Sequence, residues 1–140
     1  MPITVAWDDE LDNVVFYRFD GRWTWDDFLN AFAHELELAA GLGETRYDVL
    51  AEVVRGSNLP AGPAIAHVYG AYRRYPPNWG VTVVATPNPF IRAMFNVGYT
   101  VHPDARARFV VVDNLEAAHE VIQARRSEHT VTSAAGYQSR

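Results

Sequence analysis

No cysteine and no lysine occur among the 140 residues of this chain. The first absence excludes disulfides and thiolate chemistry, and it fits a reducing compartment. The second excludes Schiff-base and lysine general-base catalysis, because all twelve basic residues are arginines, which stay protonated. No apolar run approaches the roughly 20 residues that span a bilayer. The first residues hold no basic segment followed by an apolar one, so no secretory signal is expected and the expected location is cytoplasmic. Positive charge is scarce as well. The formal net charge is −5, which argues against a protein built to coat nucleic acid.

What is present is an ordinary globular composition, 49% hydrophobic and 21% charged, long enough for one domain with a true core. "ITVAW" and "VVFYRF" are β-branched and aromatic and flank the turn-rich "DDELDN", which predicts two antiparallel strands. In "GRWTWDDFLNAFAHELELAAGLG", Thr24 is placed as an N-cap with Asp26 and Asp27 in the first turn. Phe28, Phe32, Leu36 and Ala39 then recur at helical spacing until Gly41 or Gly43. "YDVLAEVV" reads as a central third strand. A second helix follows from about Pro63 to Tyr75 with Ile65, Val68, Tyr69 and Tyr72 as its core stripe, and "YPPNWG" stops it.

"VTVVAT" is a fourth strand, and Asn88 with Pro89 opens a third helix. "RFVVVD" is the fifth strand, and Asp113 and Glu116 have capping-box spacing for a last helix. Past Arg126 the residues 127–140 lose their period and read as a loosely held tail, so the domain is expected to span residues 1–126. The order β-β-α-β-α-β-α-β-α predicts an α/β fold. Its sheet is mixed, with about five strands, four helices and an antiparallel hairpin at one edge.

Candidate chemistry is sparse. "AHELEL" and "AHEVI" place His34 and His119 beside glutamates but without a second histidine at zinc-helix spacing, so no metal or other cofactor is expected. The acid pairs Asp8–Asp9 and Asp26–Asp27 read as a turn and a dipole-favoured first helical turn. Arg73 and Arg74 between Tyr72 and Tyr75 suit a helix C-terminus as well as an anion. His67 falls opposite the core stripe of its helix, toward solvent. No buried pair of titratable groups is foreseen, so no enzyme is. Ser57, in "RGSNLP", has no histidine close in sequence, and a turn hydrogen bond is its usual role.

The third helix does not fit a plain surface pattern. At about 100° per residue, Phe90, Met94, Val97 and Val101 form one stripe and Ile91, Phe95 and Tyr99 a second beside it. The two cover more of the helix than a one-sided stripe of about 100°. Neighbouring helices could cover the excess, or a ligand, a lipid or another subunit could. Arg92 falls on the edge of this face, placed to meet an anionic head group or a carboxylate.

This element order, with "GRWTWDDF" opening the first helix and "NPFIRAMFN" the third, resembles the SpoIIAA-like branch of the STAS domains over about residues 3–126. Typical members are anti-sigma factor antagonists switched by a phosphoserine at the start of the second helix, where free N–H groups favour phosphate. The resemblance places Glu52 at the strand-end acid and Ala61 or Gly62 at the acceptor. Neither Ala61 nor Gly62 has a hydroxyl, and Ser57 and Asn58 lie too early. The resemblance therefore implies a non-enzymatic binding or regulatory module without its switch. It would take a small hydrophobic ligand or lipid, or touch a membrane peripherally, through Phe90, Ile91, Arg92, Met94, Phe95 and Tyr99. The alternative is an anti-sigma factor antagonist that docks a regulatory protein through residues 57–65. A homodimer is expected in either case.

The charge balance carries its own test. Binding to a random DNA duplex at physiological salt is expected to be negligible in a mobility-shift titration, and sub-micromolar, salt-sensitive binding would refute it.

Overall fold

The computed structural model describes residues 2–138, of which 129–138 are described as backbone. The elements are β1 (Ile3–Trp7), β2 (Val14–Phe19), α1 (Trp25–Ala40), β3 (Tyr47–Val53), α2 (Ala64–Tyr72) and β4 (Trp79–Ala85). After them come α3 (Pro89–Val101), a 3-10 helix (Pro103–Ala107), β5 (Phe109–Val112) and α4 (Leu115–Gln138). The result is an α/β architecture of one five-stranded mixed sheet and four α-helices.

Two features depart from the expected order. The 3-10 helix stands between α3 and β5, and α4 continues past Arg126 to Gln138 where an aperiodic tail was expected. Residues 127–138 contain no proline, and extending a nucleated helix costs far less than starting one. Residues 139 and 140 lie outside the described residues.

The strands lie in sequence order, β1-β2-β3-β4-β5, with β1 antiparallel to β2 and the others parallel. Each parallel crossover therefore steps the same way, and with right-handed connections α1, α2 and α3 fall on one face. The core divides accordingly. Ala31, Tyr69, Ile91 and Phe95 of these helices pack with Tyr17, Val49 and Phe109 of the sheet. Ala118 and Ile122 of α4 meet Val14, Leu50, Val81 and Val83 on the other face.

Local chemistry sets the helix starts. Thr24 Oγ1 accepts from the Asp27 amide at 3.1 Å while Asp27 Oδ2 accepts from the Thr24 amide at 2.9 Å, a complete capping box. Asn88 Oδ1 accepts from the Phe90 amide at 2.9 Å, with Pro89 first in α3. The cap of α4 is Asn114, whose Oδ1 accepts from the Ala117 amide at 2.8 Å, in place of the expected Asp113–Glu116 box. Asp113 is drawn away by Arg92, 3.1 Å distant.

Asp48, fully buried in the central strand, joins the layers. Its Oδ1 accepts from the Val81 amide at 2.9 Å and from Arg46 Nη2 at 3.0 Å, and its Oδ2 accepts from Arg126 Nε of α4 at 2.9 Å. A buried carboxylate is tolerated only when paired and hydrogen-bonded in this way. The register between β3 and β4 slips beside it, from Tyr47↔Trp79 to Val49↔Thr82, so β4 carries a bulge at Gly80–Val81. A Cβ on Gly80 would overlap the Asp48 carboxylate and the Arg46 guanidinium.

Two glycine-to-alanine substitutions should act in opposite directions. Gly80→Ala is expected to destabilise by about 1–3 kcal/mol through overpacking. Gly70→Ala, on the open side of α2 with nothing near its Cβ, is expected to stabilise by about 0.5–1 kcal/mol. Urea midpoints at constant m-value report both.

Candidate functional site

The core does not close between the sheet and its three helices. A cavity of about 80 Å³ lies there, walled by Val49, Ala51 and Val84 of the sheet, Trp25 and Phe28 of α1, and Ile91 of α3, among others. Its lining extends from Phe19 and Trp23 at the carboxyl end of β2 to Thr82 and Phe109 on β4 and β5. Of these side chains Phe28, Leu59, Val68, Tyr75 and Met94 are only half-buried. The way in thus lies where α1, the β3–α2 loop, α2 and α3 meet.

The two stripes of α3 separate. Ile91 and Phe95 are buried against the sheet and line the cavity, and Met94 lines it from the half-buried side. Phe90, Val97 and Val101 are exposed, Phe90 at 72%. Tyr99 is half-buried, and its hydroxyl donates to the Phe109 carbonyl at 2.7 Å. Arg92 does meet a carboxylate, but one from its own chain, Asp113, and it also donates to the Val111 carbonyl at 3.2 Å. The structure therefore joins Ile91, Met94 and Phe95 in one site and leaves Phe90, Arg92 and Tyr99 outside it.

The β3–α2 loop is built around Trp25. The Ala61 carbonyl accepts from Trp25 Nε1 at 3.1 Å, and Gly62, at φ +114°, carries the chain past the same indole. Ser57 is buried, and its Oγ donates to the Gly21 carbonyl at 2.7 Å. Asn58 Oδ1 accepts from the Leu59 amide at 2.8 Å and from Asn88 Nδ2 at 3.0 Å, tying this loop to the cap of α3. Glu52 pairs with Arg18 at 3.2 Å.

His67 is a correction. Expected toward solvent, it is half-buried and stacks on Trp25 with ring centroids 4.6 Å apart. The first turn of α1 supplies that aromatic surface, and no periodicity within α2 could reveal it.

A second feature was not foreseen. Glu35 of α1 is fully buried, accepting from the Tyr17 hydroxyl at 2.5 Å on Oε1 and from the Tyr47 hydroxyl at 2.8 Å on Oε2. Desolvation raises its carboxyl from 4.5 to about 7, although both tyrosine hydrogen bonds pull it down. Burial and then the Glu35 charge push both phenols upward in turn. Tyr17 lines the cavity, so Glu35 stands one side chain behind its wall. The sequence held a signal, because Glu35 sits at helical spacing from Phe28, Ala31 and Ala39 on the buried face of α1. Among the described residues no group of three His, Cys, Asp or Glu could hold a metal ion, and no helix is long and apolar enough to cross a membrane.

No family model, curated protein or solved structure matches this chain.

Glu35 makes stability depend on pH. Between about 4.5 and 7 the folded state keeps a proton that the unfolded state has lost, so stability falls as pH rises through this window. Glu35→Gln cannot titrate. Relative to the wild type it should gain about 2–3 kcal/mol between pH 5 and pH 8, read from urea midpoints at both. A difference that stays constant with pH would mean the carboxyl is ionised throughout.

Proposed function

We propose that this chain is a non-catalytic, SpoIIAA-like binding module that takes up a small apolar ligand between its sheet and the helices α1, α2 and α3. The cavity carries this reading. Interiors pack with few voids larger than a water molecule, and an empty space of about 80 Å³ costs roughly 2 kcal/mol at about 24 cal/mol per Å³. An apolar guest would recover that loss. The volume is about half that of the engineered cavity, about 150 Å³, that accepts benzene. Its lining runs from Phe19 and Trp23 to Thr82 and Phe109, and a flexible chain longer than the space encloses can extend outward past the half-buried Phe28, Leu59, Val68 and Met94.

Binding without chemistry is supported by the engagement of the polar groups nearby. Both Glu35 oxygens are held by tyrosine hydroxyls, and Glu35 does not line the cavity. The alternative, docking of a regulatory protein through residues 57–65, has less support. Ser57 is buried with its hydroxyl spent on Gly21, and the Ala61 carbonyl is occupied by Trp25.

Titration with n-pentane, followed by methyl NMR and thermal melting, tests the reading. The wild type is expected to show shifts at Val84 and Ile91 and a raised Tm. Ala51→Leu should fill the space, keep or raise the Tm without pentane, and weaken uptake at least tenfold. Ala71→Val, which narrows the same space from α2, should weaken it less. Undiminished uptake by both variants would place any binding elsewhere.

A further inference from the structure

Three tryptophans are buried on this face of the sheet, and two of them have partners for their indole N–H. Trp25 Nε1 donates to the Ala61 carbonyl at 3.1 Å and Trp79 Nε1 donates to Thr82 Oγ1 at 3.0 Å. Trp23 is 5% exposed, lines the cavity, and has no partner for its Nε1. Among the described residues the only other buried side-chain polar atom without a partner is the Tyr69 hydroxyl, and Tyr69 does not line the cavity. A buried N–H left unpaired has lost its water without a replacement acceptor, so such groups are nearly always satisfied.

The other polar groups of the lining are already engaged. The Tyr17 hydroxyl is given to Glu35, and the Tyr75 hydroxyl and Thr82 Oγ1 lie 3.4 Å apart. No arginine, histidine or carboxylate lines the space, and the Glu35 carboxylate stands behind Tyr17. An anionic guest would therefore be buried without a counter-charge, at a cost that apolar contact does not offset. A guest that was hydrocarbon throughout would leave the Trp23 donor unpaired.

Building on the cavity reading above, we infer that the ligand is a neutral short-chain molecule with one carbonyl-type acceptor, to which the Trp23 indole N–H donates. The hydrocarbon part occupies the channel toward Thr82 and Phe109. The acceptor stays near the end lined by Phe19 and Trp23. Trp23 thereby distinguishes a ketone or ester from the alkane of the same shape.

The test compares 2-pentanone, n-pentane and pentanoate on the wild type and on Trp23→Phe. Indole resonances are followed by ¹H–¹⁵N NMR, with Trp23 assigned by its loss in the variant. The ketone is expected to move the Trp23 indole proton downfield, and pentane to leave it in place. Trp23→Phe should weaken 2-pentanone at least fivefold and pentane less than twofold. Pentanoate at pH 8 should bind at least tenfold more weakly than the ketone to the wild type.

If ketone and pentane both bind while the indole proton does not move, and the variant treats them alike, the inference fails and the cavity reading stands. Pentanoate binding as tightly as the ketone would overturn the neutral class. If none of the three binds, both readings fail together. Should Trp23→Phe not fold, the wild-type indole resonance, assigned through its NOEs to Phe19 and Trp25, decides alone.

Discussion

The buried carboxylate of Asp48 holds the sheet, the cavity and α4 in one arrangement. By accepting the Val81 amide it holds the bulge of β4 in place, and the bulge changes which side chains face which layer. Trp79, before the bulge, lies on the face under α1, α2 and α3, and so do Thr82 and Val84 after it. Val81, Val83 and Ala85 turn toward α4. Were the same residues paired regularly from Trp79 onward, alternation would put Val81 and Val83 into the cavity wall and Thr82 against α4. The same carboxylate receives Arg126, which also donates to the carbonyls of Asp12 and Asn13 and so fastens α4 to the β1–β2 turn.

The lack of lysine has a structural counterpart here. A guanidinium presents five donors in a rigid plane, whereas an ammonium is a compact point charge. Arg126 uses this fan to serve one carboxylate and two carbonyls. Arg108 donates to the carbonyls of Gly80 at 2.8 Å and Trp79 at 2.6 Å while its guanidinium lies 4.3 Å from the Trp79 ring centroid. These contacts surround the bulge, where the backbone departs from regular pairing and its carbonyls need other donors. Lysine could not replace arginine at these positions and keep all the contacts.

The strands and helices were legible because their signals are local. The β-branched and aromatic residues of "VVFYRF", the Thr24 and Asn88 caps and the glycines after α1 each act within a few residues. The extra width of the apolar face of α3 was legible too, but its division into a buried and an exposed half was not, since that depends on where the sheet lies. Ile91, Met94 and Phe95 were among the residues expected to meet a ligand, and these line the cavity. Trp23, Glu35 and Asp48 were missed for a common reason. Each is defined by partners far away in sequence, or by the lack of one. An aspartate inside an apolar central strand and a glutamate on the buried face of a helix were the visible traces, because buried charges are kept only where something answers them.

The contacts of Tyr99 and Arg92 govern what happens at the rim of the sheet. β5 is a short apolar outer strand; the Arg108 carbonyl just before it accepts from Thr82 of β4, and its Val112 carbonyl accepts from Thr86 just after β4. The Phe109 and Val111 carbonyls, out of phase with these, point away from the sheet, and Tyr99 and Arg92 occupy both. Left open, such a row would template a strand from another molecule. The helix that walls the cavity therefore also denies this rim to the stacking by which sheets grow into fibrils.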